Sequence, residues 1–321
     1  MIHLIRVNKR MEDICSGILL VDKQEGETSF DVVKKVRKAS GVRKVGHTGT
    51  LDPFATGLLV VLLGEGTKLS PFLMAGEKHY RGTIRLGIET DTLDPTGRVV
   101  KTSPVPPLQH GFIKACALHF TGEIEQTPPR FSALKYQGKR AYALARQGIP
   151  VILEKRKVRV DRLEIESIDL PEVTIGVTCS KGTYLRSLAA DLGERLGPGA
   201  HLKSLRRLSS GSFTVDHAVS SRDLESGRPG ERVREAVIPL RDSLPRMEEI
   251  QIDAPMASRI RAGHQPKEEE LAEALSRSPL NDDFLKLVHG NDLVAITRIG
   301  PDLKTGKCQL GIQRVFTPSN P

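Results

Sequence analysis

Tryptophan is absent from the 321 residues, and phenylalanine and tyrosine together bring the aromatics to only 4%. The core must therefore be mostly aliphatic, and each of the few rings is worth placing. Cysteine is equally sparse: Cys15, Cys116, Cys179 and Cys308 lie far apart and form no CxxC pair. That spacing indicates neither a zinc site nor a disulfide framework and fits a reducing compartment. No stretch reaches about 18 uninterrupted apolar residues, so no membrane-spanning helix is expected. The opening MIHLIRVNKRMEDICS has neither a long apolar run nor a small-residue cleavage site. A cytoplasmic protein is expected, with residues 1–16 forming an arm before the first strand.

Cationic charge is plentiful. Lys and Arg number 48 against 39 Asp and Glu, a net charge of +9, which attracts polyanions. Its distribution says more than its sum. Between Arg130 and Arg159 nine Lys or Arg face the single acid Glu154, and Phe131, Tyr136 and Tyr142 are interleaved among them. Rings that stack on bases beside cations that meet phosphates suit single-stranded or looped RNA; a solvated basic face is the plainer alternative. Hydrophobic residues at 38% and charged residues at 27% are ordinary globular usage, and the length suits one large domain plus a small one.

Periodicity places the main elements. Gly17–Val21 reads as a strand, and Ser29 is a candidate cap for a helix over Phe30–Lys38 that Gly41 stops. Leu58–Leu63, Tyr80–Gly87 and Val173–Cys179 read as strands, and Gly111–Phe120 as a helix. Leu185, Leu188, Ala189, Leu192 and Leu196 share one helix face before Gly197. Gln126–Gly148 starts extended at Thr127-Pro128-Pro129 and becomes a basic, helical excursion of about residues 126–160. The pattern weakens over Ser221–Pro245, where Gly227, Pro229 and Gly230 suggest a linker or a marginal helix pair. The tail reads as a small β-rich module with a helical start, an acidic helix around Lys267–Leu275, and strands at Asp292–Ile299 and Gln309–Phe316.

Gly46-His47-Thr48-Gly49-Thr50-Leu51-Asp52-Pro53 is too rich in Gly, Thr and Pro for a helix interior or a clean strand. Flanking glycines allow unusual backbone angles around His47-Thr48, and Pro53 restricts Asp52 to an extended conformation, holding its carboxylate on rigid backbone. Such a carboxylate serves as nucleophile or base, although Asp-Pro by itself more often opens a turn. Gly64-Glu65-Gly66-Thr67-Lys68 breaks the Walker spacing. The zinc-deaminase HxE…PCxxC pair and the GxSxG elbow do not occur. An HxGH-type nucleotidyltransferase loop lacks its second His.

Gly46–Leu59 (GHTGTLDPFATGLL) resembles the signature loop of the TruB family of pseudouridine synthases. The resemblance continues through GILLVDK (Gly17–Lys23), KHY (Lys78–Tyr80), TDTLDPTG (Thr90–Gly97), TPPRFSALKYQGKRAYALAR (Thr127–Arg146), SKGTYLRSLAADLG (Ser180–Gly193) and GAHLKSLRRL (Gly199–Leu208). It covers about residues 17–215 in the family's order. One departure stands out: Gln24 follows Asp22-Lys23 where the family commonly has Pro.

The resemblance implies an α/β (α+β) fold on a mixed, mainly antiparallel sheet. The catalytic domain would span residues 17–245, and a PUA-like RNA-binding domain residues 246–321. It implies isomerisation of the uridine at position 55 of the tRNA T-loop. Asp52 would be the nucleophile, at C1′ or C6, and no metal or organic cofactor would be required. Tyr80 matches the tyrosine against the target base and the candidate for proton removal. Arg186 matches the arginine paired with the nucleophile; periodicity alone reads it as an exposed helix cation. Tyr184 and Leu205 match pocket positions, and His47 the residue that fills the gap left by the flipped base. Arg130, Lys135, Lys139, Arg140 and Arg146 are candidate contacts to the T-arm. The implied partner is tRNA alone, with no membrane, no obligate protein partner and a monomeric chain. An RNA-binding or chaperone protein without chemistry is the main rival.

Overall fold

The computed structural model describes residues 16–267, 269–271, 283–301 and 308–318. Among them eleven strands form one mixed sheet. Its main path runs Val219–Ser220, Gly17–Lys23, Thr56–Leu63, Ala200–Ser210, Lys78–Leu86, Glu172–Cys179, Arg156–Asp169 and Gly122–Gln126. Only Gly17–Lys23 with Val219–Ser220, and Thr56–Leu63 with Ala200–Ser210, pair parallel. The sheet is thus mixed and mainly antiparallel, as the resemblance implied.

The unbroken apolar run TGLLVVLL has a direct cause. Side chains alternate across a strand, and here both faces are covered. Leu59, Val61 and Leu63 join Leu19 and Val21 beneath the helix Ser29–Ser40. Leu58, Val60 and Leu62 join Ile18 and Leu20 on the other face, against Val288 and Ile296 of a second sheet and Phe316 just beyond its last strand. That second sheet has the order Glu249–Gln251, Phe284–His289, Asp292–Pro301, Cys308–Val315. A third cluster packs Leu185, Leu188, Ala189 and Leu192 of the helix Leu185–Leu196 on Ile84, Val173, Ile175 and Val177.

Several elements differ from the sequence-based expectation. Thr28, not Ser29, caps the first helix: its side chain accepts from the Asp31 amide while the Asp31 carboxylate accepts from the Thr28 amide. Ser29 is instead the first helical residue, and its Oγ donates to the Leu51 carbonyl (3.1 Å) and accepts from the Leu51 amide (2.8 Å). The basic excursion is not one helix. It contains a hairpin of Lys135–Tyr136 with Lys139–Arg140 and only a short helix, Ala141–Arg146, because Gly138 turns the chain with φ +80°.

Of the linker and the marginal helix pair that residues 221–245 suggested, the second is the nearer, with one α-helix in place of two. Pro229–Ala236 is helical, and Ile238–Pro239 pairs antiparallel with Gly17–Ile18, so tertiary pairing overrides a weak local pattern. Glu249–Gln251 and Phe284–His289 are strands that periodicity did not resolve, the first being too short to carry a period. Most of residues 1–16 and of the acidic helix expected at Lys267–Leu275 lies outside the described residues.

Candidate active site

The signature loop is a connection between the short strand Val45–His47 and its antiparallel partner Thr56–Leu63. Leu51, Phe54 and Ala55 are buried in the main core and anchor it. The Asp52 carbonyl accepts from the Ala55 amide at 3.1 Å, and the Pro53 carbonyl accepts from the Gly26 amide at 2.8 Å. A turn does begin at Asp52-Pro53, and it aims the carboxylate. Of the two glycines flanking His47-Thr48, Gly49 has φ +123° whereas Gly46 does not take a positive φ. Gly57 is needed further on: at φ +100°, a Cβ there would stand 2.3 Å from the Arg207 carbonyl oxygen.

Lys23, fully buried, fastens this turn from behind. Its Nζ donates to the carbonyls of Gln24 (2.9 Å), Glu27 (2.8 Å) and Pro53 (3.3 Å). Burial pushes its ammonium down to about 8, with Glu27 and then Asp52 resisting. At the neighbouring departure from the family pattern, the Gln24 amide, which a proline would lack, is satisfied by Glu27 Oε2 (3.2 Å) and Ser221 Oγ (3.3 Å).

Arg186 projects from the first turn of Leu185–Leu196 and is only 4% exposed, so it is no surface cation. Its Nη2 donates to Asp52 Oδ1 at 3.1 Å, and its Nε lies 2.9 Å from Oδ2, an ion contact without an aligned hydrogen bond. Nη1 donates to the Thr92 carbonyl at 3.0 Å and lies 3.3 Å from Asp94 Oδ2. Asp94, buried, is held by Thr92 Oγ1, the Thr96 amide and Thr96 Oγ1. Burial pushes the Asp52 carboxyl above the usual aspartate range. Arg186 pulls it back most strongly and Asp94 adds to the rise. The guanidinium therefore offsets part of the burial effect rather than setting a low value.

These groups line a cavity of about 300 Å³ whose wall includes Thr48–Asp52, Lys78, Tyr80, Tyr184–Arg186, Leu205 and Arg207. Tyr80 stands opposite Arg207 across the strand pair, and burial pushes its phenol up while Arg207 opposes this. Tyr80, Tyr184 and Leu205 are brought together with Asp52 and Arg186. His47 is half-buried just before the wall begins at Thr48. Its Nδ1 accepts from the Gly49 amide at 3.3 Å, and burial lowers its pKa, favouring neutral imidazole. Arg130, Lys135, Lys139, Arg140 and Arg146 lie on the excursion and are not part of this wall; all five are exposed.

Sequence reasoning assigned no role to Lys23, Lys78, Asp94 or Arg207. All four are buried charges within the family-like motifs; for Lys23, Lys78 and Arg207, which lie on strands, a charge inside a strand pattern was the available signal, whereas Asp94 sits in a turn and carried none. Arg207 donates through Nε to the Leu58 carbonyl (2.6 Å) and through Nη2 to the Gly49 carbonyl (3.2 Å), tying the loop to the sheet.

Residues 37–185 match the model of the TruB family pseudouridylate synthase N-terminal domain, and residues 186–249 that of the tRNA pseudouridylate synthase B C-terminal domain. The chain is 45% identical over 283 residues to tRNA pseudouridine synthase B of Syntrophus aciditrophicus, covering 88% of this chain and 90% of that one. The chain belongs to the TruB family of pseudouridine synthases. A second TruB relative, tRNA pseudouridine synthase B of Geobacter sulfurreducens, is 43% identical over 280 residues, 87% of this chain and 92% of its own length. Among solved structures, the crystal structure of a Cbf5-Nop10-Gar1 complex matches with a TM-score of 0.72 and 23% identity. That match covers 97% of this chain and 88% of the solved one, and the likeness concerns the fold alone. Among the described residues, no helix is long and apolar enough to cross a membrane.

Proposed function

We propose that this TruB family member is a tRNA pseudouridine synthase that isomerises uridine to pseudouridine at position 55 of the T-loop. The observation that carries the reading is the Asp52–Arg186 pair at the wall of a cavity that also holds Tyr80, in a chain of this family. The target uridine leaves its stack to enter the cavity, at a cost of a few kcal/mol. Asp52 attacks C1′ or C6. The C1′–N1 bond breaks, the uracil turns, a C1′–C5 bond forms, and the bond to Asp52 breaks to return the free carboxylate. C5 then loses its proton and N1 gains one, so the product is an isomer of the substrate.

Arg186 keeps the carboxylate available as an anion and fixes its oxygens through a planar donor fork. Tyr80 lies against the base and is the group placed to handle the C5 proton, with Tyr184 and Leu205 enclosing the ring. His47 occupies the gap in the T-loop, and the cations of the excursion hold phosphates. Residues 17–245 act as the catalytic body and 246–321 as a PUA-like RNA-binding unit. The chain acts alone on tRNA in the cytoplasm, as a monomer.

The test is to incubate the protein, in EDTA and without nucleotide, with unmodified tRNA transcript and to map pseudouridine by adduct-dependent primer extension. Product at the T-loop uridine from the unaltered protein and none from Asp52→Ala is the expected result. Binding without product from well-folded protein would favour the chaperone reading.

A further inference from the structure

Among the described residues the cavity wall holds two buried polar atoms without a hydrogen-bond partner: Arg186 Nε, which keeps its ion contact with Asp52, and a serine hydroxyl, which has no such contact. Ser132, on the basic excursion, is 3% exposed and lines the cavity, and its Oγ finds no hydrogen-bond partner among the described residues. Buried hydroxyls are nearly always paired, because desolvation without a replacement bond is a net cost. Its backbone is held on both sides. The Phe131 carbonyl accepts from Arg186 Nη2 at 3.1 Å, and the Ser132 carbonyl accepts from the Tyr142 amide at 3.0 Å.

The root of the excursion is fastened to the same helix. The Thr127 carbonyl accepts from Ser187 Oγ at 2.7 Å, and the Gln126 side chain both accepts from the Tyr184 amide (2.7 Å) and donates to the Tyr184 carbonyl (3.0 Å). The segment that carries the unpaired hydroxyl is therefore built into the site.

The chemistry of the group narrows what it meets. A serine hydroxyl is neutral and both donates and accepts, so its complement is another neutral donor–acceptor. A phosphate is better served by Lys78, Lys181 and Arg207, which line the same cavity. Position narrows it further. Ser132 follows the residue whose carbonyl shares Arg186 Nη2 with Asp52 Oδ1, so it lies on the nucleophile's side. Whether Asp52 attacks C1′ or C6, the sugar edge of the nucleoside is brought to that side, and its 2′-hydroxyl is bonded to the carbon next to C1′.

We propose that Ser132 Oγ hydrogen-bonds the 2′-hydroxyl of the target uridine and so discriminates ribose from deoxyribose at the modified position. This rests on the reading of the cavity as the uridine site.

The test is a cycle between protein and substrate. Two T-arm stem-loops, identical except for uridine or 2′-deoxyuridine at the target, are bound to Asp52→Asn protein with and without Ser132→Ala, and Kd is read by fluorescence anisotropy. The expected result is that the deoxy substitution weakens binding about 3- to 10-fold with Ser132 present and leaves it nearly unchanged with alanine. A deoxy effect of the same size in both proteins overturns the proposal. Thermal melting supplies the second readout: free Ser132→Ala should melt at or above the unaltered protein, since an unpaired hydroxyl is removed. A clear drop would mark a structural hydroxyl and would also overturn it. If the unaltered protein makes no pseudouridine in the ribose stem-loop, the reading of the cavity fails instead, and the two failures are told apart.

Discussion

One nitrogen of Arg186, Nη2, stands 3.1 Å from Asp52 Oδ1 and 3.1 Å from the Phe131 carbonyl, joining Asp52 to the basic excursion. The same side chain meets Asp94 through Nη1, so two carboxylates share one buried cation. Removing that cation should cost both stability and activity. Arg186→Met leaves the two acids facing each other, and stability in urea should fall by about 3 kcal/mol, the lower end for a broken buried pair because the Asp52 side chain is 33% exposed. Pseudouridine formation should fall on the order of 100-fold or more. Arg186→Lys should recover more stability than rate, since it keeps the charge and loses the fork.

The raised pKa of Asp52 sets a pH dependence. In the proposed mechanism Asp52 acts in its ionised form, so kcat/KM should fall as pH drops through a value above the ordinary aspartate pKa of about 3.9. A folded-state pKa raised in an acid also means that the ionised form is a net cost to the fold, present above that pKa and relieved as pH falls through it. In Arg186→Lys, with a poorer partner, the acid limb should move further up. A pH profile of single-turnover rates checks this, and an acid limb unchanged by the substitution would count against Arg186 acting on the carboxylate.

Lys23 is expected to behave as a structural clamp on the turn that carries Asp52. Lys23→Met leaves the Gln24 and Glu27 carbonyls without their donor and the Pro53 carbonyl with the Gly26 amide alone, and urea denaturation should register a loss of about 2–3 kcal/mol. Because its folded pKa is lowered to about 8, the unfolded chain binds more protons between there and about 10.4. The cost of burying the charged Lys23 is thus fully present below pH 8 and is relieved as pH rises through that window. The slope it adds to stability against pH should vanish in the variant.

Exposed cations on the excursion should act on RNA affinity rather than on the chemical step. Lys135, Lys139 and Arg140 make no ion pair with a described residue. Replacing all three with Gln should weaken tRNA binding and flatten the plot of log K against log salt by about 0.7–0.9 for each phosphate that is no longer neutralised. The single-turnover rate at saturating enzyme should change little. Filter binding across salt concentrations checks the first expectation, and an unchanged slope would return these residues to a solvated basic face.

Local sequence carried much of the architecture. The alternation in Val173–Cys179, the apolar stripe of Leu185–Leu196 and the run TGLLVVLL were legible because burial of one or two faces imposes a period that composition records. The signature loop was legible as a loop, since Gly, Thr and Pro at those spacings admit little else. Cap placement was not: Thr28 and Ser29 are both good caps, and only the Leu51 backbone, brought in by the fold, occupies Ser29. Short strands such as Val45–His47 and Ile238–Pro239 exist because of their partners and have no period of their own.

At the site the same division holds. The sequence by itself determined which residue types were available, Asp52 on a rigid turn and Tyr80 at a strand start, along with the excess of cations between Arg130 and Arg159. Periodicity read Arg186 as a surface cation and only the family resemblance implied its pairing with Asp52; tertiary structure decided that it is buried, that Asp94 shares it, that Lys23 closes the turn, and that Ser132 faces the cavity unpaired. The reason is physical: propensity and periodicity act over a few residues, whereas desolvation and charge pairing are set by groups that the chain brings together from far apart. Residue 186 lies 134 positions from residue 52, and no local rule spans that distance.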